Sequence, residues 1–197
     1  MKSDIYTLES LESDFRAIPA EAEKVAGYNG LDDKSTRRLR LLSEEMICML
    51  PQLLIYGKGQ FWIENEGRNY ELHLHVKPDD TDSFDREAVI GVSTNKKNAA
   101  AKGIISKICC MVETMLDENA KIAKENPYGF SMAYSPAYPG GMTWSLLSYR
   151  NALSEPESNE CSEEWDELER SIIANLADDV IVGVLGRKVD IIVKKSF

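Results

Sequence analysis

Leu39, Leu42, Met46, Met49, Leu50 and Leu53 recur at steps of three, four and seven residues, the spacing that gathers side chains on one face of an α-helix. The segment predicts an amphipathic helix with one buried stripe. LDDKS precedes it and puts acidic residues where a helix N-terminus favours them, while Pro51 marks a distortion near its end. Ile104, Ile108, Met111, Val112 and Met115 form a second stripe and predict a helix over residues 98–116. Leu11, Phe15, Ile18, Ala22 and Val25 give a third over residues 8–28. There Pro19 either kinks the helix or starts its second half, and Gly27 and Gly30 close it. SEEWDELERSIIANLADD predicts one further helix, with Ser162 as N-cap and Trp165, Leu168, Ile172 and Leu176 on one side.

Strand text alternates with period two. IYTL, residues 5–8, reads as a short strand, and residues 59–76 form two alternating segments around a polar, Gly-containing turn. In the second segment Leu72, Leu74 and Val76 face a core, and His73 and His75 the other side. VIVGVLGRKVDIIVKK predicts a second hairpin turning near Gly186. Residues 117–162 change character, being rich in Pro, Gly, Ser and aromatics, a composition expected of a binding segment or an insertion. The order strand, helix, helix, hairpin, variable connection, helix, hairpin predicts an α+β fold: a two-layer sandwich of a mostly antiparallel sheet with helices on one face. One domain spans residues 1–197, with an insertion at about residues 81–162.

Charge narrows the partners. A formal net charge of −10 and a pI near 4.8 disfavour nucleic acid and anionic membrane. No apolar run approaches the ~20 residues of a membrane span, and MKSDIYTLES has no signal-peptide pattern, so a cytoplasmic protein is expected. Cys48, Cys109, Cys110 and Cys161 lack CxxC spacing and are expected to be buried free thiols. His73 and His75 could chelate a metal from one strand face, yet no third ligand is evident nearby, and no metal site is assigned.

LLSEEMICM, residues 41–49, and SIIANLADDVIVGVLGRKVDIIVKK, residues 171–195, resemble segments of the anti-sigma-factor serine kinases, within the histidine-kinase-like ATPase superfamily. The likeness covers roughly residues 5–80 and 163–197. It implies a histidine-kinase-like ATPase fold with ATP as cofactor, bacterial signal transduction, and a regulatory protein that engages a protein factor or antagonist. It also implies that Glu45 occupies the position of the catalytic glutamate.

The chain departs from that family at several positions. Met49 stands where the family carries a magnesium-holding asparagine, and a thioether suits a hard cation poorly. VKPDDTDSF replaces the Asp-x-Gly-x-Gly box, so Asp79 or Asp80 would supply the adenine-binding carboxylate without the glycines that permit close backbone approach. The second glycine-rich box is missing before Ser171. Lys96, Lys97 and Asn98 lie just before a predicted helix and could cradle phosphate instead, or merely cap that helix. Magnesium is doubtful on this reading. Glu45, bordering the buried stripe, is then a base in an atypical site, or else a relic or a structural partner, for example of Arg38 or Arg16.

Two functions follow. One is an ATP-binding regulator resembling an anti-sigma-factor serine kinase, with degenerate nucleotide chemistry. The other is a non-catalytic pseudo-ATPase acting as a protein-interaction module, as a homodimer or with another protein, with Tyr134, Tyr138 and Trp144 as partner-binding residues. Trp144 follows a Pro-Gly-Gly turn and is expected to project outward.

Overall fold

The computed structural model describes residues 1–8, 15–53, 58–77, 104–125, 142–154, 166 and 168–197. In chain order the elements are β1 (Tyr6–Leu8), α1 (Ala17–Tyr28), α2 (Asp33–Leu53), β2 (Lys58–Glu66), β3 (Asn69–Lys77), α3 (Ile104–Glu125), β4 (Met142–Ser145), α4 (Leu146–Leu153), α5 (Ile172–Leu176), β5 (Asp179–Leu185) and β6 (Lys188–Ser196). The strands form one six-stranded sheet, ordered β1-β2-β3-β6-β5-β4, and every neighbouring pair is antiparallel. The α+β layering expected from the pattern is therefore present.

Each hairpin closes through a two-residue loop, Gly67-Arg68 or Gly186-Arg187. Gly67 has φ +59° and Gly186 φ +61°, and no other residue type adopts positive φ among the described residues. A positive φ at the first loop position only is the sign pattern of a type II′ turn, which matches the strand twist and selects glycine there.

Alternation then sorts the side chains. Phe61, Ile63, Tyr70, Leu72, Leu74 and Val76 are buried on one sheet face, and β5 and β6 add Val180, Val182, Val184, Val189, Ile191 and Val193. The helices cover this face with Leu39, Leu42, Met46, Met49, Leu50 and Leu53 of α2 and Ile104, Ile108 and Val112 of α3, all buried as their spacing predicted. At about 1.5–3 kcal/mol for each large apolar side chain removed from water, this layer is the dominant stabilising term. Asp32 caps α2, accepting from Ser35 N–H at 2.7 Å. The Tyr6 hydroxyl donates to Glu21 Oε2 at 2.9 Å and ties the edge strand to α1. Burial is the main reason its phenol is pushed up to about 12, with the Glu21 carboxylate second.

Pro19 sits in the first turn of α1, in keeping with the reading that it starts the second half of the segment, and there its missing N–H has no intrahelical partner to lose. Three local expectations need correction. α3 runs to Glu125, beyond residue 116, because DENAKIAKE is good helix-forming text that lacks only an apolar stripe. Ser171 interrupts the last predicted helix: its backbone is extended, and its Oγ accepts from Ala174 N–H at 3.3 Å, so α5 starts afresh. That break rotates the stripe, burying Ile173 and leaving Ile172 45% exposed. Cys109 is buried as expected, but Cys48 and Cys110 are exposed; Ser162, Trp165 and Cys161 lie outside the described residues.

Candidate functional site

α2 carries Glu45 and Met49 one turn apart. Met49 belongs to the buried stripe and has no exposed surface. Glu45 lies at the border of that stripe, where burial first and Glu44 second hold its carboxyl above the usual range. Among the described residues Glu45 makes no ion pair, so neither Arg38 nor Arg16 holds it there. Its neighbour Glu44 instead accepts from Arg40 Nε at 2.8 Å. Partial desolvation, then Glu45 and Glu44, raise the Cys48 thiol above its ordinary value.

Met49 is not a magnesium ligand. That cation takes hard oxygen donors in an octahedral shell and keeps several waters, whereas Met49 offers one soft sulfur inside an apolar core. Asp79, Asp80, Lys96, Lys97, Asn98, Tyr134 and Tyr138 lie outside the described residues.

Trp144 is on β4, which is an edge strand among the described residues, paired opposite Val182 and therefore on the helix-covered face. It is half-buried against the core, and its ring meets Tyr149 of α4 at 5.9 Å between centroids and a 45° tilt. The outward-projecting side chain expected after the Pro-Gly-Gly turn is thus a packed one, because cross-strand pairing fixes which face it takes. Lys107 of α3 places its ammonium 4.7 Å from the Tyr149 ring centre and bonds the Tyr149 hydroxyl. The corner is anchored by Asp179: it accepts from Ser145 Oγ at 3.0 Å and from the Leu147 N–H at 3.0 Å, and Ser145 Oγ in turn accepts from Ser148 N–H. A carboxylate and a hydroxyl therefore satisfy two of the free N–H groups at the start of α4. α4 also carries Leu147, 48% exposed, and Arg150, the residue after Tyr149. Arg150, Leu168, Glu169, Ala174 and Asn175 line a cleft of about 290 Å³.

The sheet face away from the core carries a second constellation. Cross-strand register aligns Trp62, His73, Ile192, Ile181 and Ser145 in one row over five strands. Trp62 and His73 stack at 4.8 Å with planes 2° apart, and Lys2 Nζ lies 4.4 Å from the indole centre. Glu64 accepts from both Lys2 Nζ at 3.0 Å and Trp62 Nε1 at 2.8 Å. His73 is 14% exposed; Glu71 Oε2 comes within 3.3 Å of its Nε2 without hydrogen-bond geometry, leaving that buried nitrogen without a bond. In the adjoining row His75 Nδ1 bonds Asp190 Oδ1. No group of three or more metal-ligating side chains occurs among the described residues; His75 is bonded to Asp190, and His73 has Glu71 near it without a bond. Alternation puts Trp62 and His73 on one side of their strands; their contact required the register.

Compared with family models, curated proteins and solved structures, the chain matches none. No described helix is long and apolar enough to cross a membrane.

Proposed function

We propose that the chain is a regulatory protein-interaction module without catalytic ATP chemistry, its partner surface being the β4–α4 corner around Trp144, Tyr149, Leu147 and Arg150. The observation that carries the non-catalytic part is Met49, wholly buried one turn from Glu45. A phosphoryl-transfer site needs a metal held beside the phosphates and a nucleophile oriented toward them. On α2 the position one turn from the carboxylate is committed to packing instead. Support for the partner surface comes from residue type and place: Trp, Tyr and Arg are the side chains favoured at the centres of interfaces, and here they gather beside an edge strand.

A second reading, an ATP-binding regulator similar to the anti-sigma-factor serine kinases, is favoured by the unpaired Glu45 carboxyl and its raised pKa, which suits a base. Isothermal titration with ATP and magnesium separates the two. The module reading expects no saturable heat up to millimolar nucleotide, and a saturable one-to-one isotherm would replace it with the second.

A further inference from the structure

Residues 1–8 run along the outer edge of β2. Tyr6, Thr7 and Leu8 pair with Phe61, Gln60 and Gly59, and Lys2 bridges to Glu64. Between these contacts Ser3 N–H donates to Ile63 O at 2.8 Å, Ile63 N–H to Ser3 Oγ at 2.9 Å, and Asn65 N–H to Met1 O at 2.8 Å. Residues 1–3 are thus held by backbone bonds, by the Met1 ammonium donating to Asn65 O, by Ser3 Oγ and by one charged side-chain clasp. That clasp is Lys2, bound to Glu64 and set over Trp62.

β2 lies between this segment and β3, so the Trp62 indole has Lys2 toward one side and the stacked His73 toward the other. While His73 is neutral the arrangement is consistent: one cation, one aromatic stack and one carboxylate. A protonated His73 would bring a second cation to the same π system and draw on the same Glu64 carboxylate. We propose that His73 and Lys2 compete for Trp62 and Glu64, so that acidification releases residues 1–3 from the edge of β2.

The surroundings of His73 set the balance. Its own strand contributes Glu71 and His75, β2 contributes Glu64, β6 contributes Asp190 and Lys194, and the N-terminal segment contributes Lys2. Two of the carboxylates are engaged elsewhere, Glu71 with Lys194 at 3.1 Å and Asp190 with His75. Glu64 is the one whose present partner is the clasp itself. Burial keeps His73 neutral at neutral pH, opposed by Glu64 and Glu71. Release would leave the Ile63 and Asn65 backbone groups without their present partners and lengthen the free edge of the sheet.

Amide-exchange protection factors, which are corrected for the intrinsic pH dependence of exchange, test this in the full chain. Between about pH 7.5 and 5, a range carried below that of an ordinary histidine because burial lowers this one, protection at Ser3 and Asn65 should fall several-fold while Leu72 and Val193 keep theirs. His73→Gln should remove the pH dependence. Because coupling is reciprocal, Lys2→Met should raise the His73 pKa measured by imidazole NMR. Protection at Ser3 and Asn65 that is independent of pH, parallel loss at Leu72 and Val193, or an identical His73 pKa in Lys2→Met would each overturn the proposal.

Discussion

Glu45 and Met49 stand one turn apart on α2 yet meet opposite environments, the methionine closed inside the core and the carboxylate at its border. The difference follows from the stripe of Leu42, Met46, Met49 and Leu53, whose phase admits Met49 and leaves Glu45 at the margin.

Placing an asparagine at position 49 should damage the fold and create no activity. Met49→Asn places an amide in an apolar core that offers it no designed partner, at a cost of about 2–4 kcal/mol. Urea denaturation should show the lower midpoint, and a magnesium-dependent ATPase assay should stay at background.

Glu45→Gln should raise stability at neutral pH. The folded protein lifts this carboxyl above its unfolded value, so the ionised form is disfavoured by folding, and the penalty is relieved as pH falls through the folded pKa. An uncharged amide of the same shape removes it. Thermal melts of the two proteins at pH 7 and pH 4 should therefore differ more at pH 7.

His73 contributes in the opposite sense. Burial lowers its folded pKa below the ordinary 6.5 of a histidine, so the unfolded chain binds more protons as pH falls, and stability present above about 6.5 is lost on going down through the folded pKa. Melting temperatures of the wild type should decline over that window more steeply than those of His73→Gln.

The periodic elements were readable from single residues. The buried stripes of α2 and α3 and the alternation of β2, β3 and β6 announce themselves because one face of each element meets water and the other does not. β4 and α4 were not readable: MTWS has too few residues for alternation to show, and the cap of α4 comes in part from Asp179, over thirty positions away along the chain. The Ser171 break was hidden because apolar residues keep a helical spacing across it. Trp144 was singled out by composition, but its orientation depended on the register with Val182, which no local pattern contains.

Asp179 therefore offers a structural probe of the corner. Asp179→Ala removes the acceptor for Ser145 Oγ and for the Leu147 and Val180 N–H groups. A loss of about 1–2 kcal/mol is expected from a cap of this kind, read as a lower denaturant midpoint. Trp144→Ala should cost about 2 kcal/mol, less than the ~3–5 kcal/mol of a fully buried aromatic, since the ring is half-buried.

The partner surface is tested most directly by a photo-crosslinking amino acid at Leu147 in the native cell, with Leu185 as control. Both side chains are exposed, at 48% and 43%, but only Leu147 belongs to the corner of Trp144, Tyr149 and Arg150. A partner docked on that corner should give one discrete adduct from position 147, abolished by Arg150→Glu and absent from position 185. Equal labelling from both positions, or none from position 147 in cells where the protein is active, would rule out the corner as the partner surface.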